Sequence, residues 1–235
     1  MESAIRDGTA LTVTFVNVYS IMTARRDHLL KESINGSSLA VADGMPLVWI
    51  SRWTDTPLSA RVYGPDLFEC FCALADRKGY SYFFYGSSPT VLSSLTRKIK
   101  GQFPHIKIAG AVSPPYRDLT QDEERRVIDK INGSKADVLW IGLGSPKQEK
   151  WMHNVRHRVR VPVLAAIGAA FDFHAGSVRQ APKGMQRIGL EWLFRLLMEP
   201  RRLWKRYLLN NPGFVLLILK EMMSGLFTSR SNGRP

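Results

Sequence analysis

The amino-acid sequence predicts an α/β fold: a Rossmann-like, doubly wound and mostly parallel sheet with a basic helical appendage at its C-terminal end. Short β-rich runs alternate along the chain with segments of helical periodicity, and these runs are apolar throughout, as strands covered on both faces are. A change in charge and pattern near residue 190 predicts the appendage. We therefore expect a Rossmann-like domain over 1–189, an amphipathic helical appendage over 190–228 and a disordered tail over 229–235.

Five buried strands and six accompanying helices are predicted. The strands occupy residues 11–16, 82–85, 106–112, 138–143 and 163–167. The helices lie near residues 20–34, 44–53, 65–78, 89–101, 120–132 and 146–157. Because such sheets bind ligands at the carboxyl ends of their strands, the loops there should ring one crevice. Those loops are residues 17–20, 86–89, 112–116, 142–147 and 168–176.

Composition indicates a folded protein that does not cross a membrane. The chain has 235 residues, of which 45% are hydrophobic and 23% charged, and this excludes a disordered, collagenous or disulfide-scaffold protein. No apolar run approaches the roughly 20 residues of a membrane span, and residues 1–7 lack the features of a secretory signal. Cys70 and Cys72 are two positions apart on a predicted helix and cannot bridge to each other. We therefore expect a cytoplasmic protein.

The net charge of +13 is concentrated near the C-terminus, where residues 179–235 hold 11 Lys and Arg against three Glu. Such a surface attracts nucleic acid, anionic lipid or a phosphorylated ligand, and charge alone does not distinguish them. Residues 190–207 predict an amphipathic helix with one apolar stripe and one arginine stripe. The nearly all-apolar segment 213–227 either packs on the domain or lies in a lipid interface.

A glycine-rich turn after the fourth predicted strand is a candidate phosphate site. It contains Gly142 and Gly144, and Pro146 suits the first turn of the helix that follows. Glycines allow a ligand to approach the backbone, and amides at a helix start donate to anions. The turn is neither a dinucleotide fingerprint nor a P-loop, so a purely structural role is the alternative. Gln148 and Glu149 favour a function, because polar groups on the first helical turn would face the crevice.

Asp43 and Asp66 each stand where a turn enters a predicted helix. Asp43 either caps its helix or acts as a general base, since a carboxylate at a crevice edge can take a proton from a hydroxyl nucleophile. Gly64 and Asp66 form a second such turn, with the cation Arg61 close in sequence. The alternative role of Asp66 is to stabilise the helix start.

Other polar residues carry weaker signals. Asp172 and His174 follow the last predicted strand, and pinning of this loop is the favoured role of Asp172. His153 and His157 have the i, i+4 spacing of a zinc pair but lack a third ligand. The sequence contains no Asp-x-Asp pair of the kind that holds a metal ion on a nucleotide-sugar diphosphate. Arg, Lys and helix dipoles would have to neutralise such a group, and we expect no metal and no cofactor.

Eight motifs follow one another along the chain from about Val13 to Phe214. They are Asn17, Ala42-Asp43-Gly44-Met45-Pro46, Arg61-Val62-Tyr63-Gly64-Pro65-Asp66, Gly86-Ser87-Ser88-Pro89, Ser113-Pro114-Pro115, Gly142-Leu143-Gly144-Ser145-Pro146-Lys147-Gln148-Glu149, Gly168-Ala169-Ala170-Phe171-Asp172, and the segment from Gly189 to Tyr207. In this order they resemble the WecB/TagA/CpsF family of bacterial glycosyltransferases, which move a sugar from a UDP-sugar to a polyprenyl-diphosphate-linked acceptor. The variants at residues 113–115 and 64–66 are most similar to members that build exopolysaccharide.

The resemblance implies that Asp43 is the catalytic base, that Arg61 and Gln148 line the donor site, and that the basic appendage supplies arginines and seats the enzyme on the membrane. We expect an inverting, metal-independent enzyme in which the backbone amides of residues 144–148 and arginines of the appendage, first of all Arg202 and Arg206, meet the charge of the departing UDP. The other substrate-binding residues predicted from these motifs are Asn17, Gly64, Asp66, Gly86, Gly142, Gly144, Pro146, Glu149 and Asp172.

The chain departs from the family pattern in three places. Phe15 stands where members often carry Thr, and Gln180 stands where they often carry Arg. The family usually also has a strand and a helix ahead of the segment around Asn17, and in this sequence either the first strand is missing or residues 1–10 replace it poorly.

The expected partners are a UDP-sugar that carries a hexose or N-acetylhexosamine, a polyprenyl-diphosphate-linked acceptor, and the anionic inner face of the bacterial cell membrane, contacted through residues 190–228. Nucleic acid is not expected, and homo-oligomerisation stays open. Two non-catalytic alternatives are a basic nucleotide- or phosphate-binding module and a membrane-peripheral scaffold. Carboxylates at the predicted crevice argue against the first, and the crevice loops have no purpose in the second.

Overall fold

The structure, a computed structural model, describes residues 1–224 of the chain. The strands in this part are β1 (Leu11–Val16), β2 (Leu39–Ala42), β3 (Ser81–Gly86), β4 (Lys107–Val112), β5 (Val138–Gly142) and β6 (Val163–Ala166). The helices are α1 (Glu2–Asp7), α2 (Val18–Ala24), α3 (His28–Asn35), α4 (Met45–Ser51), α5 (Gly64–Lys78), α6 (Pro89–Gln102), α7 (Gln121–Gly133), α8 (Lys147–Val155), α9 (Ala170–Ala175), α10 (Lys183–Arg187), α11 (Glu191–Met198), α12 (Pro200–Leu208) and α13 (Asn210–Met223).

The strands form one sheet in the order β2-β1-β6-β5-β3-β4. The pairings of β1 with β6, β6 with β5, β5 with β3 and β3 with β4 are all parallel. Parallel neighbours require crossover connections, which the intervening helices supply. The predicted Rossmann-like α/β fold is confirmed.

The three central strands, β3, β5 and β6, are covered on both faces. Val138 and Trp140 of β5 belong to one hydrophobic core, whereas Leu139 and Ile141 belong to the other. This alternation follows from the two-residue period of a strand. Phe68 of α5 packs edge-on against Trp140, with ring centroids 4.9 Å apart. Aromatic packing of this kind fixes the helix layer against the sheet.

The described chain divides into two compact units. The first comprises Met1–Phe15, Leu29–Val41 and Tyr63–Arg179 and contains most of the sheet. The second comprises Val16–His28, Ala42–Val62 and, among the described residues, 180–224. The predicted domain boundaries stay predictions, and residues 225–228 of the predicted appendage and the predicted tail 229–235 lie outside the described residues.

The five predicted strands are present, but the structure differs from the prediction at other elements. The four-residue strand β2 was missed because it is short and partly exposed. The helix predicted over 20–34 is two helices, α2 and α3. The loop predicted over 168–176 contains the short helix α9, which ends at the left-handed Gly176.

The helix predicted over 190–207 is also two helices. Glu199 has φ −135° and ψ 58°, and Pro200 starts α12. The residue before a proline is driven out of the helical region, which explains the break. None of the helices in residues 1–224 combines the length and apolar character that a membrane span needs.

The start of α7 generates a pH-dependent prediction. Thr120 and Glu123 form a reciprocal capping box, and Arg117 binds both carboxylate oxygens of Glu123 at 2.7 Å. These bonds, above all those from Arg117, lower the pKa of Glu123 to about 2. A carboxyl whose pKa is lower in the folded protein stabilises it above the unfolded pKa of about 4.3, and the contribution fades as pH falls toward 2. We expect the difference in unfolding free energy between the wild type and Glu123→Gln to shrink over this range in urea titrations.

The matched variant is Arg117→Gln, which removes the principal cause of the low pKa. In the Arg117→Gln background, Glu123→Gln should change the free energy of unfolding less, and this change should depend less on pH. A difference that stays constant from pH 6 to pH 2 would contradict the assignment.

Candidate active site

In the first unit, the ends of β3 and β5 approach each other closely. Gly86 pairs in register with Gly142. A Cβ on Gly86 would lie 2.5 Å from the carbonyl carbon and oxygen of Gly142, so no side chain fits there. The backbone amide of Ser87 also donates to the Gly142 carbonyl, at 3.0 Å. The two predicted glycines therefore allow the carboxyl ends of β3 and β5 to pack closely together.

The glycine-rich turn leads from the end of β5 into α8. Gly144 has φ +80°, which favours glycine, and no atom lies within 4 Å of the place where its Cβ would be. Pro146, joined to Ser145 by a cis peptide bond, is the N-cap of α8, one position earlier than predicted from its preference for the first helical turn. The turn leaves open space beside its backbone, as a ligand-binding turn requires.

Gln148 fastens this turn from inside. Its side chain is only 4% exposed, and its Oε1 accepts the backbone amide of Gly144 at 3.1 Å. Its Nε2 donates to the carbonyl of Ala166, at the end of β6, and to Oε1 of Glu149. The side chain therefore holds the turn against β6, and the Gly144 amide, predicted as a phosphate donor, is already bonded within the protein.

Two neighbouring side chains are also buried at this turn. Glu149 is almost fully buried and accepts the bond from Gln148. The Oγ of Ser145 is buried and has no hydrogen-bond partner within residues 1–224. Sequence reasoning assigned no role to Ser145, since a serine inside a glycine-rich motif carries no signal of its burial.

Asp172 lies in the first turn of α9 and is half-buried. Its backbone carbonyl accepts the amide of Ser177 at 3.0 Å, and its Oδ1 accepts the Ser177 hydroxyl at 3.3 Å. These bonds agree with the favoured prediction that Asp172 pins the segment after the last strand.

The turn into α5 is shaped by packing as well as by polar groups. Phe15 is buried, and its ring lies 3.6 Å from where a Cβ on Gly64 would be. The departure from the family's Thr thus places an aromatic ring against this turn. A ring nitrogen of His174 bonds to the carbonyl of Pro65 at 3.0 Å, whereas Asp66 is exposed in the first turn of α5.

In the second unit, Asn17 and Asp43 follow β1 and β2. The Oδ1 of Asn17 accepts the amide of Ser20 at 3.2 Å and so caps α2. The backbone amide of Asp43 donates to the carbonyl of Val16 at 2.8 Å. The N-cap of α4 is Gly44, with no side-chain cap bond, so the alternative in which Asp43 caps this helix was wrong.

Arg61 is bound by residues of the C-terminal segment. Its guanidinium donates to Oε2 of Glu191 at 3.0 Å and to Oε1 of Gln186 at 3.1 Å. Both charged side chains are mostly buried, with 13% and 14% exposure. Neither Glu191 nor Gln186 was predicted as a partner of Arg61, although an acid within a basic segment is a signal that could have directed attention to Glu191.

The two predicted catalytic arginines of α12 differ in environment. Arg202 is exposed and bonds to Glu199 one helical turn earlier, at 2.6 Å. The guanidinium carbon of Arg206 lies 4.1 Å from the centre of the Tyr19 ring. Tyr19 was not predicted to have a role.

The predicted site residues thus form two sets. The first unit brings together Gly86, Gly142, Gly144, Pro146, Gln148 and Glu149, and it also holds Gly64, Asp66 and Asp172. The second unit holds Asn17, Asp43, Arg61, Arg202 and Arg206. Within residues 1–224, no group of three or more His, Cys, Asp or Glu side chains is arranged to hold a metal ion.

Replacing Gln148 tests its fastening role. Gln148→Leu keeps the volume but removes the bonds of this side chain to the Gly144 amide, to the buried Ala166 carbonyl and to the buried Glu149 carboxylate. Since each unsatisfied buried group costs about 1–3 kcal/mol, we expect a loss of roughly 2–4 kcal/mol in the free energy of unfolding, measured in urea. Gln102→Leu, which removes a long 3.4 Å surface bond to Glu69, is the matched control and should change stability little. Equal stabilities for the two variants would contradict the fastening role.

Known proteins support a single family for this chain. Residues 1–227 match the family described as "Glycosyl transferase WecG/TagA/CpsF family". The chain is 34% identical over 209 residues to the N-acetylglucosaminyldiphosphoundecaprenol N-acetyl-beta-D-mannosaminyltransferase of Bacillus subtilis (strain 168), a match that covers 89% of this chain and 79% of the relative. It is 36% identical over 188 residues to the protein of the same name from Bacillus spizizenii, with 80% and 70% covered. The predicted resemblance is confirmed and the two non-catalytic alternatives are wrong: the chain belongs to the WecG/TagA/CpsF family and is a glycosyltransferase.

Proposed function

We propose that this glycosyltransferase moves an N-acetylhexosamine from a UDP-sugar to a polyprenyl-diphosphate-linked saccharide, with inversion and without a metal ion, in the synthesis of a bacterial surface polysaccharide. The similarity to the two Bacillus enzymes carries the proposal, because both are named for N-acetylmannosamine transfer to an N-acetylglucosaminyl-diphospho-lipid. Either an exopolysaccharide or a wall polymer is compatible with this chemistry.

Asp43 is the proposed general base. It follows β2 directly, is half-buried, and is not the cap of the helix that follows. In the reaction, its carboxylate takes the proton of the acceptor hydroxyl, whose oxygen attacks the anomeric carbon while the bond to UDP breaks. A single displacement of this kind inverts the anomeric centre.

The departing UDP needs positive charge, which we assign to Arg206 and Arg202. Fixed cations stabilise the charge that develops on a leaving diphosphate, as a metal ion would. The bond between Gly144 and Gln148 supports this assignment, because it leaves the glycine-rich turn with fewer amide donors than its sequence suggests. Within the second unit, we propose Asn17 and Arg61 as further contacts to the donor.

The basic appendage is the proposed contact with the inner face of the cell membrane. Helices α11 to α13 expose large apolar side chains, among them Leu197, Leu216 at 67% and Met223 at 83%. Arg201, Arg202, Lys205 and Lys220 are exposed on the same helices. Apolar groups that enter the interface, together with cations near anionic headgroups, bind a helix to a membrane surface.

Transfer by the purified full chain tests the function. UDP-N-acetylmannosamine, UDP-N-acetylglucosamine and UDP-glucose are each incubated with N-acetylglucosaminyl-diphospho-lipid, and the product is detected by its mass. We expect addition of one N-acetylhexosamine, unchanged by EDTA. No transfer from any of these donors would contradict the proposal. Activity that EDTA abolishes and Mn²⁺ or Mg²⁺ restores would contradict only metal independence.

Asp43→Asn tests the base. The amide has nearly the same shape but cannot accept the proton, so turnover should fall at least ~100-fold while folding and UDP affinity stay unchanged. Asp55→Asn replaces an exposed carboxylate of the same unit and should keep full activity. Retained turnover in Asp43→Asn would exclude this residue as the base.

A double substitution, Leu216→Ser with Met223→Ser, tests the membrane contact. Loss of two apolar groups from the lipid interface should weaken binding to anionic phosphatidylglycerol vesicles at least ~10-fold in co-sedimentation. Leu29→Ser, which replaces an exposed leucine on α3, is the control and should bind as the wild type does. If the double variant also binds normally, α13 does not enter the membrane.

A further inference from the structure

An aromatic ring and a cation from distant parts of the sequence are stacked within the second unit. Tyr19 belongs to α2 and Arg206 to α12. The 4.1 Å between the guanidinium carbon and the ring centre is well inside the ~6 Å range of a cation–π attraction. The contact therefore gives Arg206 a defined position.

Both partners are held by their own surroundings. The cap at Asn17 fixes the start of α2, and α13 packs against the same helix, where Gly213 lies close to Met22. On the other side, the backbone carbonyl of Arg206 accepts the Nδ2 of Asn210 at 2.8 Å. The ring of Tyr207, the next residue, is buried against Trp192. The stack thus joins two fixed segments.

We propose that Tyr19 is a positioning residue that orients the guanidinium of Arg206 for the departing diphosphate; this inference rests on the proposed function. A ring stacked on a guanidinium covers its face, whereas the N–H donors of the group lie in its plane. The stack therefore constrains orientation without competing for the directions in which an arginine binds phosphate. It also restricts a flexible side chain before the substrate arrives, which lowers the entropy lost on binding.

The role predicts a specific kinetic signature. Arg206 is assigned to charge that grows as the sugar–phosphate bond breaks, so loss of its orientation should act on kcat more than on KM for the donor. The range of cation–π energies corresponds to a roughly 2- to 30-fold fall in kcat when the ring is removed. UDP, the leaving group itself, should bind more weakly by a similar factor.

The experiment is a double-mutant cycle in the full chain, with kcat, KM for the donor and UDP affinity by calorimetry as readouts. It uses Tyr19→Leu, Tyr19→Phe, Arg206→Gln and the combination of Tyr19→Leu with Arg206→Gln. Tyr80→Leu, which removes a half-buried tyrosine at the amino end of β3, is the matched control and should leave all three quantities unchanged.

We expect Tyr19→Leu to lower kcat while KM for the donor changes by less than about twofold. Tyr19→Phe, which keeps the ring, should have a kcat close to that of the wild type. Once Arg206 is replaced, Tyr19→Leu should have no further effect. The inference would be overturned by additive effects of the two substitutions, by a Tyr19→Leu variant with the kcat of the wild type, or by a Tyr19→Phe variant whose kcat is as low as that of Tyr19→Leu. If Tyr19→Leu does not fold, Tyr19→Met takes its place in the cycle.

The same cycle separates this inference from the proposed function. If the wild type transfers no sugar yet binds UDP, the proposed function fails and the coupling in UDP affinity still decides the role of Tyr19. If the wild type binds no UDP, both proposals are overturned.

Discussion

Burial of the central strands on both faces restricts where polar chemistry can lie in this protein. Every residue of β6, and β5 from Val138 to Ile141, is removed from water, with alternate side chains in two different cores. A polar side chain in such a strand would lose its hydration without compensation, at a cost of several kcal/mol. We therefore expect polar groups that can reach a ligand at residues that follow the buried strands, such as Gly144 after β5.

A turn of glycines at a strand end is open to a ligand but has no side chains to hold its shape. Gln148 provides that rigidity from the first turn of α8, because its amide binds both the Gly144 amide and the Ala166 carbonyl. This bond also withdraws a backbone donor that an anion would otherwise use. For the proposed function, this leaves more of the neutralisation of a diphosphate to arginine side chains.

The sequence predicted the sheet well, because buried parallel strands have a local signature of continuous apolar residues. It predicted candidate site residues as a set of motifs, but not the bonds that these residues make. The N-cap of α4 is Gly44, one position after the predicted Asp43, and a helix boundary predicted from sequence is not accurate to one residue. The partners of Arg61 and Arg206 come from remote segments, so no local pattern around either arginine could reveal Glu191 or Tyr19.

These remote contacts change how the C-terminal segment should be understood. Glu191 neutralises the mostly buried Arg61, α13 packs on α2, and Trp49 fills the space beside Gly189. Deleting the segment from residue 190 would leave Arg61 buried without its carboxylate partner, a change that is strongly destabilising in itself. Loss of activity in such a truncation would therefore not distinguish a membrane anchor from a source of catalytic arginines. Single substitutions that preserve the Arg61–Glu191 pair can separate the two roles, because they alter one function of the segment while its packing stays intact.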